Sequence, residues 1–137
     1  MSDTTDALAA MPPVTGTLLE RMGIEILELS ADRTAGSMPV EGNTQPYGLL
    51  HGGASAVLAE TLASYAAQVH AGAGRAAVGI EINATHHRSA RSGVVTGTAT
   101  ALHLGSSLAS YEVVVVDGDG RRLCTARVTC MLVDARR

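Results

Sequence analysis

His51-Gly52-Gly53 and Glu60 are the groups in this chain best placed to do chemistry, because little around them is reactive. Between Glu41 and Arg75, Glu60 is the sole carboxylic acid, and no Lys or Arg shares that interval to neutralise it. Its neighbours from Ala54 to Ala67 are mostly small and apolar. A buried carboxylate without a partner is unstable as the anion, and its pKa tends to rise toward the range useful for proton transfer. Glu60 is therefore expected to have either a partner from a distant segment or a catalytic task.

His51-Gly52-Gly53 stands where an apolar helix should begin. A helix start offers free backbone N–H groups and the positive end of the macrodipole, and Gly lets a ligand approach the backbone. A carbonyl oxygen aimed at the Gly52 amide would be polarised and its oxyanion stabilised; the same tripeptide also suits a tight loop-to-helix turn. Glu60 follows Gly52 by eight residues, roughly 12 Å of helical rise. One helix cannot bring both groups to one carbonyl, because a reacting carbon sits within about 3.5 Å of its attacker. An antiparallel second copy of the helix could, so a catalytic helix here implies an obligate oligomer. Ser64 lies one turn beyond Glu60 on the same face, placed to hold the carboxylate or a water, or to bond back to its own helix.

The elements that must position these groups are readable in outline. Residues 1–13 read as a loose, flexible tail ending in Pro12-Pro13, and residues 14–137 as one domain. Thr15 to Met22 has a short helical pattern stopped by Gly23, followed by strand-like runs at Ile24 to Leu29 and Thr34 to Val40. In the first run Ile24, Ile26 and Glu28 share one side, while Glu25, Leu27 and Leu29 share the other, so the alternation is only partial. A polar loop from Glu41 to Leu50 precedes the apolar helix, Gly52 to His70, which Ala71-Gly72-Ala73-Gly74 ends. Four strand-like stretches close the chain: Ala76 to His87, Val94 to Leu104, Leu108 to Val116 and Arg121 to Val133. Asp117-Gly118-Asp119-Gly120 forms a hairpin turn between the last two. The order α-β-β-α-β-β-β-β predicts an α+β fold with an antiparallel sheet. A helix apolar on almost every side predicts burial on almost every side, by the sheet and by a second copy.

Composition narrows the function. The 46% hydrophobic content describes a folded globular chain, yet with no Trp, no Phe and three Tyr the core must be built from Ala, Val, Leu and Ile. A net charge of −3, with no basic stripe, argues against nucleic acid as a partner. Cys124 and Cys130 fit neither a redox pair nor zinc-ligand spacing and read as reduced thiols. His86 and His87, within one strand, would point to opposite faces, and no metal-binding motif occurs. No basic segment opens the chain and no stretch suits a membrane span, so a cytoplasmic location away from membranes is expected.

Gln45-Pro46-Tyr47-Gly48-Leu49-Leu50-His51-Gly52-Gly53, then Leu58-Ala59-Glu60-Thr61 and His103-Leu104-Gly105-Ser106, resemble the hotdog-fold acyl-CoA thioesterases. The likeness runs from about Thr15 to Val133. It is closest to the branch holding the Arthrobacter-type 4-hydroxybenzoyl-CoA thioesterase, the phenylacetate-pathway thioesterases, and the menaquinone- and enterobactin-associated aroyl thioesterases. The resemblance implies a curled antiparallel sheet wrapped around one long helix, assembled as a homotetramer from two dimers. It implies hydrolysis of acyl-CoA to free acid and coenzyme A, with aroyl or phenylacetyl groups favoured and no cofactor required. Glu60 matches the family's general base or nucleophile, and the Gly52 amide the carbonyl-polarising donor. Gln45 and His51 match groups that orient the carbonyl or assist the leaving thiolate, and Ser64 matches a Thr or Ser near the reacting centre. Arg88, Ser106 and Ser107, with Arg136 or Arg137, match residues on the coenzyme A phosphates. The chain lacks the Trp with which some relatives grip an aromatic acyl group, leaving Tyr47, Tyr65 and Tyr111 as its only rings. Two other readings share this fold: a thioester hydratase or dehydratase using His51 with Glu60, and a non-catalytic acyl-CoA binder.

Overall fold

The alternation of apolar and polar residues in the last strands builds a sheet with one buried face. In the computed structural model, which describes residues 3–135, Ala109, Tyr111, Val113 and Val115 point inward from one strand while the residues between them do not. The elements in chain order are α1 (Asp3–Ala9), α2 (Leu18–Met22), β1 (Glu25–Leu29), β2 (Arg33–Pro39), α3 (Gly52–Ala71), β3 (Arg75–His86), β4 (Val94–Leu104), β5 (Leu108–Val116) and β6 (Arg122–Asp134). The six strands form one sheet in the order β1-β2-β4-β5-β6-β3, every pairing antiparallel. Apart from α1, the element order is the expected one.

The sheet curls around one face of α3. That face carries Ala54, Leu58, Ala59, Leu62, Ala63, Ala66 and Ala67, all buried. With so much Ala the helix sits deep in the sheet, and two glycines make room where larger side chains point outward. A Cβ at Gly36 would lie 2.7 Å from Leu62 Cδ2, and one at Gly97 would lie 2.8 Å from Leu62 Cδ1. The Asp117-Gly118-Asp119-Gly120 turn closes as expected, with Asp117 Oδ1 accepting the backbone N–H groups of Asp119 and Arg121 at 2.9 Å each.

Three features differ from the sequence reading. Within the stretch read as a loose tail, Asp3–Ala9 is helical, and Thr4 Oγ1 accepts the Leu29 N–H at 3.2 Å. Seven residues carry too little periodicity to announce such a helix. In β1 the register slips between Ile26 and Glu28. This bulge turns Leu27 outward, 55% exposed, and buries Leu29 on the face of Ile24. The third concerns α3, which is not buried all round: Glu60 is exposed and Val57, Thr61, Ser64 and Tyr65 are half-buried. The open sheet covers one side only and ends at β3, whose outer edge is unpaired. Val78 and Ile80 of β3 are 47% and 50% exposed.

Candidate active site

Two separate clefts flank α3, and they divide the expected site residues between them. The first, about 380 Å³, lies at the amino end of the helix and is lined by Gln45, Gly52, His86, His87 and Arg88 among others, with no carboxylate in its wall. His51 is the N-cap: its Nδ1 accepts the Gly53 N–H at 2.8 Å, which commits that nitrogen and leaves Nε2 on the exposed side. The Gly52 N–H has no acceptor among the described residues. It is the free donor expected of a helix start, at the positive end of a 20-residue helix. A Cβ at position 52 would lie 2.9 Å from His86 Nε2, so Gly is what lets the imidazole come this close to the start of the helix.

Gln45 is oriented by its own loop. Its Oε1 accepts the N–H groups of Tyr47 at 2.7 Å and Leu49 at 3.1 Å. The side-chain NH₂ has no acceptor among the described residues and is the group left to donate into the cleft. Arg88 lines the same wall and makes no ion pair among the described residues. The strand ends at His86, so both histidines line one cleft rather than opposite faces, and His87 Nε2 is 2.9 Å from Thr125 Oγ1. His86 over Gly52 is a site neighbour that sequence reasoning passed over. The signal available was its place at the end of an apolar strand run.

The second cleft, about 350 Å³, opens midway along α3 and is walled by Leu18, Leu19, Val57, Glu60, Ser64 and Tyr65. Glu60 makes no hydrogen bond or ion pair among the described residues. Its Oε2 lies 2.7 Å from where a Cβ on Gly79 would stand, so the bare backbone of β3 is what gives the carboxylate its place. The expectation of a buried Glu60 does not hold for the single chain, because the sheet leaves this flank of α3 uncovered. Ser64 shares the cleft, and its Oγ is 3.9 Å from the buried Cys130 Sγ rather than bonded back to its helix. Burial pushes the Cys130 thiol up; the Ser64 hydroxyl pulls it down and the nearby charge of Glu60 pushes it up. Burial likewise raises the Tyr65 phenol.

The clefts share no lining residue. Gly52, Gln45, Arg88 and the exposed edge of His51 gather at one end of α3, and Glu60 with Ser64 gathers at its middle. Ser106 and Ser107 stand beyond its other end, where His70 Nε2 lies 2.7 Å from the Gly105 carbonyl. Arg136 and Arg137 fall outside the described residues. Among the described residues no helix is long and apolar enough to cross a membrane.

The thioesterase superfamily family model matches residues 47–124. Over 115 residues the chain is 49% identical to the proofreading thioesterase EntH of Cronobacter turicensis, covering 83% of this chain and 84% of that protein. Over 113 residues it is 50% identical to the EntH of Klebsiella pneumoniae, covering 82% of each. A thioesterase crystal structure from Haemophilus influenzae superposes with a TM-score of 0.86 at 34% identity, covering 90% of this chain and 87% of that one. A mutant thioesterase from Pseudomonas aeruginosa superposes with a TM-score of 0.87 at 36% identity, covering 96% and 94%.

Proposed function

Because the chain belongs to the thioesterase superfamily and has its hotdog fold, we propose that it hydrolyses acyl-CoA thioesters at a site shared between two copies. Two complementary clefts in one chain carry this reading. Among the described residues, one offers unpaired donors without an acid, and the other offers an unpaired acid beside apolar walls. An antiparallel second copy that brings its Gly52 to this Glu60 also brings its Glu60 to this Gly52, with the twofold axis near Ala56, midway between them. The unpaired β3 edge, with Val78 and Ile80 exposed beside Gly79, supports a partner on that side, since bare apolar edges invite strand pairing. A tetramer built from two such dimers extends the reading on resemblance, as does a cytoplasmic location.

In the shared site the Gly52 N–H and the Gln45 NH₂ donate to the thioester oxygen and stabilise the oxyanion. Glu60 of the other protomer either takes a proton from water or attacks the carbonyl to form an anhydride that water then opens. Ser64 orients the carboxylate or the water, and the free Nε2 of His51 serves the departing thiolate. The apolar wall beside Glu60 suits an uncharged acyl group, aroyl or phenylacetyl on the resemblance, with Tyr65 the ring at hand. Arg88 meets a phosphate of coenzyme A beyond the thioester. These groups require no metal or prosthetic group.

Glu60→Gln tests the reading. The change preserves shape and removes the base, so thiol release from a panel of aromatic and aliphatic acyl-CoAs should fall roughly 100- to 10,000-fold, with an unaltered far-UV dichroism spectrum. Undiminished hydrolysis across the panel would refute it.

A further inference from the structure

Gln68 of α3 closes one end of the free β3 edge. Its Nε2 donates to Arg75 O at 2.8 Å and its Oε1 accepts the Ala77 N–H at 3.1 Å. The side-chain amide thus takes the place that a neighbouring strand would take beside these two residues. Arg75 to Ala77 are half-buried, whereas Val78 to Asn83 are exposed. Backbone groups of alternate residues face the same edge, so Gly79 faces outward with Ala77. The register shift between Gly79 and Glu81 inserts one residue, after which Ile82, Ala84 and His86 face outward.

Two contacts define the pairing a shared site needs. Gly79 lies against Glu60, and His86 lies against Gly52. Bringing Glu60 to the partner's Gly52 therefore sets Gly79 opposite the partner's His86, with Cα atoms roughly 5.5 Å apart. Without the inserted residue Gly79 and His86 would face opposite edges, and no twofold pairing could join them. With it, Ile82 faces the partner's Ala84 and Asn83 faces its own copy on the axis. Ala77 then lies beyond the end of the partner's strand, and Gln68 satisfies it there. A slip of two residues would set the partner's His86 opposite Ala77 and carry Gly52 roughly 6.6 Å from its place beside Glu60. That pairing needs the Ala77 N–H, which Gln68 holds.

Resting on the shared-site reading, we infer that Gln68 is a positioning residue that sets the register between two copies: it closes β3 at Arg75 and Ala77 and confines pairing to Gly79–His86. It lines neither the cleft of Gly52 nor that of Glu60. It acts on both by denying the slipped dimer an open edge, as other proteins block strand edges against unwanted pairing.

The test locks the register chemically. Asn83→Cys sets two thiols across the axis on Cα atoms roughly 4.5 Å apart, within disulfide reach, while the native Cys124 and Cys130 are buried. Adding Gln68→Leu should lower kcat of the reduced protein roughly tenfold, the worth of one or two hydrogen bonds. KM should stay the same, because mispaired dimers are silent rather than weak. Oxidation should restore kcat to that of oxidised Asn83→Cys alone. Gln68→Glu keeps the acceptor for Ala77 but loses the donor to Arg75, and should fall between. The equilibrium constant for disulfide formation in a glutathione buffer reads the register without turnover and should drop by the same factor in Gln68→Leu. A reduced double variant as active as its parent, a loss that oxidation leaves in place, or a dimeric Asn83→Cys that never cross-links would overturn the inference while hydrolysis itself stood. If wild-type protein cleaved no acyl-CoA, the function would fall instead, and the glutathione equilibrium would still decide the role of Gln68.

Discussion

The amino end of α3 and its middle differ in what each lacks. At the amino end, backbone geometry supplies the chemistry: a free Gly52 N–H, a Gln45 amide fixed by its own loop, and a wall of His86, His87 and Arg88 without an acid. At the middle, side chains supply it: Glu60 and Ser64, set against apolar residues and the bare Gly79 backbone. The first half can stabilise negative charge but holds no carboxylate to attack a carbonyl or activate water. The second can do the reverse. Neither is a complete hydrolytic site, and the chain holds them about 12 Å apart on one rigid helix.

Among changes that leave Glu60 itself in place, disabling the donor half should have the largest effect. Gly52→Pro removes the N–H at the first helical position, where Pro is tolerated, and its ring displaces the tip of His86, so turnover should drop roughly 100- to 1,000-fold with a modest fall in thermal stability. A stopped-flow thiol assay beside a melting curve checks both halves of that statement. At the acid half, Gly79→Ala places a methyl 2.7 Å from Glu60 Oε2 and pushes the carboxylate aside. A displacement near 1 Å at a reacting group lowers rate on the order of 100-fold, so kcat should fall while substrate binding, measured by calorimetry on Glu60→Gln and on the Gly79→Ala, Glu60→Gln double variant, stays equal. Gln45→Ala is the mildest of the three. It removes the NH₂ donor without adding charge, together with the oxygen that accepts from Tyr47 and Leu49, and kcat/KM should fall about tenfold. If Gln45→Ala proved as damaging as Gly52→Pro, the side-chain amide rather than the backbone would be the principal donor.

The two regions were also unequally readable from residue order. The helix start could be placed from His51-Gly52-Gly53, because capping chemistry is local, and the strands from β4 onward came from alternation and the Asp-Gly turn. Glu60 stood out by its isolation, yet its exposure could not be foreseen. That depends on how far the sheet closes around α3, a matter of long-range curvature. The β1 bulge reversed the expected side of Leu29 for a related reason, since one unpaired residue shifts the period without altering composition. The place of His86 over Gly52 could not be foreseen, because the two lie far apart in sequence and meet only once β3 packs beside the start of α3.

Complementation between inactive chains tests the shared site most directly. Glu60→Gln and Gly52→Pro protomers, each inactive alone, are co-expressed with different affinity tags, and the doubly tagged and mixed populations are assayed for thiol release. If each site draws its donor from one protomer and its acid from another, random mixing restores about a quarter of wild-type activity per site. Heteromers that form but remain as inactive as their parents would contradict the account.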